Sequence, residues 1–181
     1  VLPGAHEISN AGMSIAALRH LNIDQEALDG AMTQAQWPAR MQRLLSGRLV
    51  ELAGNAELWL DGGHNPAAGE ALAAHIATLP KKSTYMICGM LNTKDILGYL
   101  KPFSAHVDGL IGVSIPHEIN TLSAEETVGK ARAAGMHSMA AQTIDNAIQT
   151  VIQKDPNARI LLCGSLYLAG EILRQNNQPK E

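Results

Sequence analysis

The chain has 181 residues, of which 46% are hydrophobic, 17% are charged and only 3% are aromatic. This composition is enough for one folded domain and part of a second, with a core built from aliphatic side chains. The formal net charge of -3 provides no electrostatic basis for binding nucleic acid or an anionic membrane. We therefore expect neither a nucleic-acid partner nor a membrane partner.

The two cysteines, Cys88 and Cys163, each lie in an apolar run that is followed by glycine. They form neither a CxxC pair nor a metal-binding spacing, which favours buried, reduced thiols in a cytoplasmic protein. No apolar run approaches the roughly 20 residues that span a bilayer, and the N-terminus does not resemble a signal peptide. The chain begins with Val1 rather than methionine, so we interpret it as a piece of a longer protein.

Residues 1–36 differ from the rest of the chain. Apolar residues at helical spacing predict a helix over residues 10–21, capped by Ser9 or Asn10, and a second helix over residues 24–34. Two such helices cannot build a core alone, so we interpret residues 1–36 as the edge of a preceding domain. The boundary is predicted at Trp37-Pro38, because proline disfavours helix at the residue before it.

From residue 37 onwards, strand-like runs alternate with helical ones. The predicted strands cover residues 48–52, 57–60, 84–88, 109–114, 138–141 and 159–163. The predicted helices cover residues 66–79, residues 123–135 with a capping box at Ser123 and Glu126, a segment capped by Asp145, and residues 166–174. This alternation predicts an α/β, Rossmann-like fold with a mostly parallel six-stranded sheet and helices on both faces.

The stretch from Glu57 to Gly69 carries the strongest local pattern. An apolar run ends at Asp61, two glycines follow, and Asn65 and Pro66 favour an N-cap and a first helical position. The free N–H groups of that helix start favour an anion, and Asp61 and His64 lie beside it at the end of a predicted strand. An ordinary strand-to-helix turn fits the same residues, and spacing alone does not separate the two interpretations.

Several well-known nucleotide and hydrolase motifs are missing from the sequence. It contains no GxxxxGK[ST] phosphate loop and no GxGxxG dinucleotide fingerprint, which disfavours a hydride-transfer enzyme that uses NAD. It also contains no GxSxG nucleophile elbow, which disfavours an esterase.

Four stretches, in order, resemble those of the folylpolyglutamate synthase / dihydrofolate synthase family, which belongs to the Mur-ligase group of ATP-dependent amide-forming enzymes. Residues 60–66 (LDGGHNP) resemble the family's DGAHNP signature. The other three are residues 2–11 (LPGAHEISNA), 37–42 (WPARMQ) and 162–167 (LCGSLY), with a weaker match of Gly89 and Lys94-Asp95 to a G…KD loop. This sequence departs from the family pattern at Ala5, Glu7, Ala39 and Gly63.

The resemblance implies a ligation in which ATP phosphorylates a carboxylate of folate or dihydropteroate, and the amine of L-glutamate attacks the acyl phosphate. ATP and Mg²⁺ would be the cofactors, with the P-loop, most metal ligands and much of the folate pocket upstream of this chain. Residues 1–36 would be the helical end of the central ATP-binding domain and its linker, and residues 37–181 a Mur-ligase-type C-terminal domain. The missing N-terminal ATPase domain would be its partner, and the fragment alone would be inactive.

The resemblance also assigns roles to individual residues, and each has a structural alternative. Asn10 would bind adenine or cap a helix, and Arg40 would bind ATP phosphates or lie in solvent. Asp61 would contact the ribose or flank a helix. His64 would be the catalytic residue, near the reacting phosphoryl group or the incoming glutamate, or a turn histidine. Ser165 would bind the glutamate carboxylate or serve as an N-cap, and no metal ligand is assigned within this chain.

Two other functions fit parts of the sequence. A peptidoglycan Mur ligase would share the fold, but the GSLY and WPxR stretches argue against it. The other alternative is a free-standing module that binds a nucleotide without catalysing a reaction. The two N-terminal helices argue against this alternative, because they resemble the edge of a preceding domain.

Overall fold

The computed structural model describes residues 5–34 and 37–178, and within them it forms one six-stranded sheet of order β1-β2-β6-β3-β4-β5. Strand β1 pairs antiparallel with β2, and the remaining neighbours are parallel. The predicted parallel α/β sheet is confirmed. The strands are β1 Gln42–Leu44, β2 Glu57–Leu60, β3 Thr84–Cys88, β4 Gly109–Gly112, β5 Ser138–Ala140 and β6 Arg159–Cys163.

Two helices precede the sheet, and the others connect or follow its strands. The helices are α1 Ala5–His20, α2 Gln25–Gln34, α3 Arg48–Ala53, α4 Pro66–Thr78, α5 Ile96–Leu100, α6 Ala124–Ala133, α7 Ile144–Lys154 and α8 Leu166–Asn176. A 3-10 turn, Lys101–Phe103, extends α5. None of the helices in the described ranges is both long and apolar enough to cross a bilayer.

Both faces of the sheet are covered by helices, as the alternating pattern predicts. Along β6, Ile160 and Leu162 pack in a core with α3, α7 and α8, whereas Leu161 and Cys163 pack in a second core with α4, α5 and α6. A strand that is buried on both faces contains few polar residues, which explains the unbroken apolar run of β6. The two cores hold β6 in the middle of the sheet.

The two cysteines are free and buried, as expected, and they lie opposite each other on β3 and β6. Burial raises the pKa of the Cys163 thiol well above its ordinary value. A protonated thiol is a poor nucleophile and a poor metal ligand, so Cys163 acts as an apolar core group.

The predicted strand over residues 48–52 is wrong, because this segment is helix α3. A short apolar run fits a strand or a buried helix equally well, and contacts from distant residues decide between them here. Arg48 donates to both carboxylate oxygens of Asp145 at 2.7 and 2.8 Å, and the Leu49 amide donates to Asn176 Oδ1 at 3.1 Å. The antiparallel edge strand β1 takes the place of the predicted strand.

Two predicted helix caps are also wrong. Thr143 caps α7 by accepting from the Asn146 amide at 3.1 Å, so the side chain of Asp145 is available to Arg48. Helix α1 is already helical at Ala5, which places Asn10 inside the helix rather than at its start. The capping box of Ser123 and Glu126 and the Asn65 cap of α4 are confirmed.

Candidate functional site

Three neighbouring strands, β2, β6 and β3, end at the same edge of the sheet, and the segments that follow them form a pocket. Because the strands are parallel, residues distant in sequence meet at this carboxyl edge, where open α/β sheets usually bind ligands. The pocket has a volume of about 290 Å³. Its lining residues are His64, Leu91, Thr93, Lys94, Gly164, Ser165, Leu166 and Tyr167.

The start of α8 forms one wall of this pocket. Ser165 is buried and caps the helix, because its Oγ accepts from the Tyr167 amide at 3.1 Å. The preceding Gly164 has a φ of +108°, a value at which the backbone can turn directly from β6 into the helix. The first N–H groups of a helix attract an anion, so Ser165 combines an N-cap role with a position on the pocket wall.

His64 contributes a second wall and is held in a defined orientation. Its Nδ1 lies 2.9 Å from the carbonyl oxygen of Gly62. Since a carbonyl oxygen only accepts hydrogen bonds, Nδ1 carries the proton that is donated to it. The imidazole is half-buried, and Nε2 is left to interact with a ligand in the pocket.

Lys94 completes the polar lining from the segment after β3. Its neighbour Asp95 caps α5 by accepting from the Gly98 amide at 2.9 Å, which fixes the turn that carries the lysine. Among the described residues that line the pocket, none is acidic, whereas a lysine, an imidazole and a helix start all line it. This arrangement suits a carboxylate or a phosphate group.

Sequence reasoning did not include Lys94 in the site. Lys94-Asp95 is a weaker match to the family's G…KD loop, and a second sequence feature indicates the same position. The runs Met86–Gly89 and Leu161–Gly164 end in the same Cys-Gly pair, and both prove to be parallel strands that end side by side. Residues that follow two such strands lie close together, so they are candidates for the same site.

Asp61 is buried and connects two segments of backbone. One carboxylate oxygen accepts from the Met41 amide at 2.8 Å, and the other accepts from the Gly63 amide at 2.7 Å. The Gly62 amide donates to Ala39 O at 2.8 Å in the same region. Asp61 therefore ties the segment before β1 to the turn after β2, and its predicted contact with a ribose stays a prediction.

Arg40 lies in the segment that Asp61 anchors. Its neighbours Ala39 and Met41 have φ values of 57° and 40°, in the left-handed region that non-glycine residues rarely adopt. Backbone strain of this kind persists only where surrounding contacts impose it, and it often occurs at functional sites. The segment therefore presents the half-buried Arg40 in a defined backbone conformation.

Asn10 is separate from this arrangement. It is an exposed residue of α1, the helix that contacts α2, and it is not among the residues that line the pocket. The structure thus brings His64 and Ser165 together with Lys94 and links Asp61 to the Arg40 segment, while Asn10 lies on a preceding helix.

We expect Asp61→Asn to lower the free energy of unfolding by about 1–3 kcal/mol, because the amide nitrogen would face a backbone N–H donor and leave it without an acceptor. Urea denaturation of the 181-residue chain measures the change. Asp95→Asn is the matched control, since asparagine also caps helices and this position is exposed. Equal stability of the two variants would contradict the anchoring role of Asp61.

No group of three or more His, Cys, Asp or Glu side chains that could hold a metal ion occurs within residues 5–34 and 37–178. The described residues that line the pocket include a lysine and no carboxylate, which does not fit a magnesium site.

The fold and the pocket define this chain as a Rossmann-like α/β domain with a pocket at the carboxyl edge of its parallel strands. The chain belongs to the dihydrofolate synthetase family, because the family model for the dihydrofolate synthetase C-terminal domain matches residues 50–175.

The chain resembles curated relatives over most of its own length. The probable dihydrofolate synthetase of Schizosaccharomyces pombe is 27% identical over 186 residues, which cover 96% of this chain and 43% of that protein. The dihydrofolate synthase/folylpolyglutamate synthase of Escherichia coli is 26% identical over 169 residues, which cover 91% of this chain and 37% of that protein. The chain therefore spans about two fifths of the length of these relatives.

Solved structures share the fold. A folylpolyglutamate synthase of Mycobacterium tuberculosis complexed with ADP superposes with a TM-score of 0.82 at 20% identity, over 99% of this chain and 42% of that one. A bifunctional folylpolyglutamate synthase/dihydrofolate synthase with Mn, AMPPNP and L-glutamate bound superposes with a TM-score of 0.74 at 22% identity, over 92% of this chain and 39% of that one.

Proposed function

We propose that this chain is the C-terminal portion of an ATP-dependent ligase that adds L-glutamate to folate, to dihydropteroate or to both, through an acyl-phosphate intermediate. The pocket of His64, Lys94 and the α8 start carries the proposal, because it gathers groups that bind a carboxylate at the ligand edge of the sheet. Membership of the dihydrofolate synthetase family supports it, and so does the L-glutamate bound in one structure of the same fold.

In this proposal the pocket receives the incoming glutamate. The α8 start, with Ser165, and the Lys94 ammonium hold one carboxylate of the amino acid, which leaves its amine directed at the acyl phosphate. A new C–N bond then forms, the bond between the acyl carbon and the phosphate oxygen breaks, and the phosphate leaves with the proton that the amine gives up. His64 lies beside this reaction, and in its imidazolium form, with Nδ1 donating to Gly62 O, its Nε2–H donates to the oxygens on which negative charge develops.

The remaining predicted residues act on ATP in this proposal. Arg40 contacts the phosphates, Asp61 contacts the ribose and supports the Arg40 segment, and Asn10 contacts the adenine. The boundary between residues 1–36 and 37–181 separates the end of the ATP-binding domain from the C-terminal domain. The ligands for Mg²⁺ belong to the N-terminal part, because the described residues of this chain offer no carboxylate cluster for it.

We expect the isolated chain to form no ADP from ATP in the presence of dihydropteroate or folate and L-glutamate, because the phosphate loop is outside it. Activity should appear when residues 1–181 are joined to the ATPase domain of the parent protein. A coupled assay for ADP measures both, and omission of glutamate is the control. ADP formation by the isolated chain would contradict the proposal, and so would turnover of a UDP-muramyl substrate by the joined protein.

Glutamate binding can be followed separately in the isolated chain. We expect the amide chemical shifts of residues 164–167 in the NMR spectrum to change when L-glutamate is added. The same concentration of L-glutamine is the control for the side-chain carboxylate. Shifts confined to other parts of the chain would place the amino-acid site elsewhere.

A further inference from the structure

A second pocket lies at the opposite, amino-terminal edge of the sheet, where β3 and β6 begin. It has a volume of about 710 Å³, within the range of ligand pockets, and is formed mainly by residues 79–84 and 105–108. Three cationic side chains line it, Lys81, Lys82 and Arg159, together with His106 and one carboxylate, Asp108. The Asp108 carboxylate accepts from the Thr84 amide at 2.7 Å, so one of its oxygens is already bonded to the backbone.

Arg159 is the unusual member of this pocket, because it is a buried arginine with few hydrogen bonds. Only 5% of it is exposed, and it donates to Thr84 Oγ1 at 3.4 Å and to Pro80 O at 3.1 Å. Its Nε is buried without a hydrogen-bond partner, since the Glu57 carboxylate is 3.6 Å away. Arg48, by contrast, has two hydrogen bonds of 2.7 and 2.8 Å to Asp145. The Nε of Arg159 faces Glu57, but Nη1 and Nη2 carry four N–H groups, of which Thr84 and Pro80 use two, so the other two can donate to an anion.

The Glu57 carboxylate, which lies behind the pocket wall, does not neutralise all the positive charge around it. Glu57 accepts from Lys82 at 2.9 Å and from Trp59 Nε1 at 3.1 Å, and it forms longer ion pairs with Arg43 at 3.5 Å and with Arg159. Burial opposes ionisation of Glu57, but these contacts outweigh it and lower its pKa. Glu57 is thus shared by three cations, and this region holds four cations (Arg43, Lys81, Lys82 and Arg159) against three carboxylates (Glu57, Asp108 and Asp155), an excess of one positive charge.

One part of the pocket lining is apolar. Ile76, Leu79 and Val107 line it beside the cationic wall, and each of them is buried or half-buried. A free phosphate ion would fill only the polar part of a cavity of this size. An organic group attached to the phosphate would cover the apolar part as well.

We propose that this pocket binds a phosphate monoester, with its phosphate group on Arg159, Lys81 and Lys82 and its apolar part against Ile76, Leu79 and Val107. The site is separate from the glutamate pocket, because the two lie at opposite ends of the parallel strands. A ligand here contacts the first residues of β3 and β6, the strands whose other ends form the glutamate pocket.

Titration of the 181-residue chain with phenyl phosphate and with inorganic phosphate, followed by amide chemical shifts at constant ionic strength, tests this proposal. We expect saturable shifts at Lys82, Ser83, Thr84 and Asp108, and tighter binding of phenyl phosphate than of inorganic phosphate. Lys81→Ala should weaken binding about threefold, the usual effect of one partly solvated charge, and Lys130→Ala, a change of an exposed lysine on α6, should have no effect. Arg159→Lys keeps the positive charge but loses the planar guanidinium group that binds phosphate through two N–H groups. It should weaken phenyl phosphate binding more than Lys81→Ala does.

Three results would overturn the proposal: no saturable shift at residues 82–84, equal affinity for the two probes, or equal affinity of the Lys81→Ala variant and the wild-type chain. Because Lys81 is exposed, its replacement leaves the fold intact. Shifts confined to Gly164–Tyr167 would also overturn it, since they would locate the phosphate in the glutamate pocket. That last result would leave the proposed ligase function standing, and a failure of glutamate to bind would leave this site standing.

Discussion

Replacing His64 with alanine should lower the turnover number about 100-fold in a protein that joins the ATPase domain to residues 1–181, the usual effect of removing one donor from the reacting centre. The reason is the fixed position of the ring. Nδ1 donates to Gly62 O, which leaves Nε2 as the group that interacts with the pocket contents. Alanine removes the donor while the Gly62-Gly63 backbone remains.

Steady-state rates at saturating ATP, folate and glutamate measure this effect, with His75→Ala as the matched control. His75 is also half-buried and lies on α4, but it is not among the residues that line the pocket. Asp61→Asn should act differently and raise the ATP concentration needed for half-maximal rate, because Asp61 supports the Arg40 segment. If His64→Ala and His75→Ala had the same turnover number, the catalytic role of His64 would be wrong.

Gly164→Ala should lower the free energy of unfolding by about 3 kcal/mol or more, the sum of a left-handed backbone penalty and a forced contact in the core. The φ of Gly164 is +108°, and a Cβ there would lie 2.7 Å from Cys88 Sγ and 2.8 Å from Gly89 O. The neighbouring strand β3 cannot move away, because both faces of the sheet are packed. The pocket wall at Ser165 should shift with the strand end.

Urea denaturation of the two variants Gly164→Ala and Gly170→Ala provides the measurement and its control. A Cβ at Gly170 would meet nothing within 4 Å, and the residue lies inside α8. Alanine should therefore raise stability there by about 1 kcal/mol, the difference in helix propensity. If the urea concentration at the unfolding midpoint were the same for Gly164→Ala and the wild-type chain, the end of β6 would tolerate a side chain and the prediction would be wrong.

Local patterns in the sequence predict the elements that local interactions determine. The strands β2, β3 and β6 have the bounds that the sequence predicts, and the capping box at Ser123 marks the start of α6. Helix α3 could not be predicted in this way, because Arg48 is bound by Asp145 and Leu49 by Asn176, residues far away in the sequence. Short apolar runs are decided by tertiary contacts.

The candidate site likewise combines residues that local motifs predict with a geometry that depends on tertiary contacts. His64 and Ser165 were each predicted from motifs, but the sequence did not indicate that they share one pocket, because that depends on the position of β6 between β2 and β3. Lys94 was missed for the same reason. Asp61 was predicted as a ligand-binding acid, and its bonds to two backbone amides became visible only when residues 39–41 were placed beside it.

The position of β6 also has a consequence for how this protein reaches its native state. Strand β6 joins the two halves of the sheet, because it pairs with β2 on one side and with β3 on the other, and among the described strands it is the last to be synthesised. Until Arg159–Cys163 has been synthesised, β1–β2 and β3–β4–β5 are separate sheets with open edges. Such edges are prone to aggregation, and pairings between distant segments form slowly. The two parts of this sheet therefore depend on β6 to join them during synthesis.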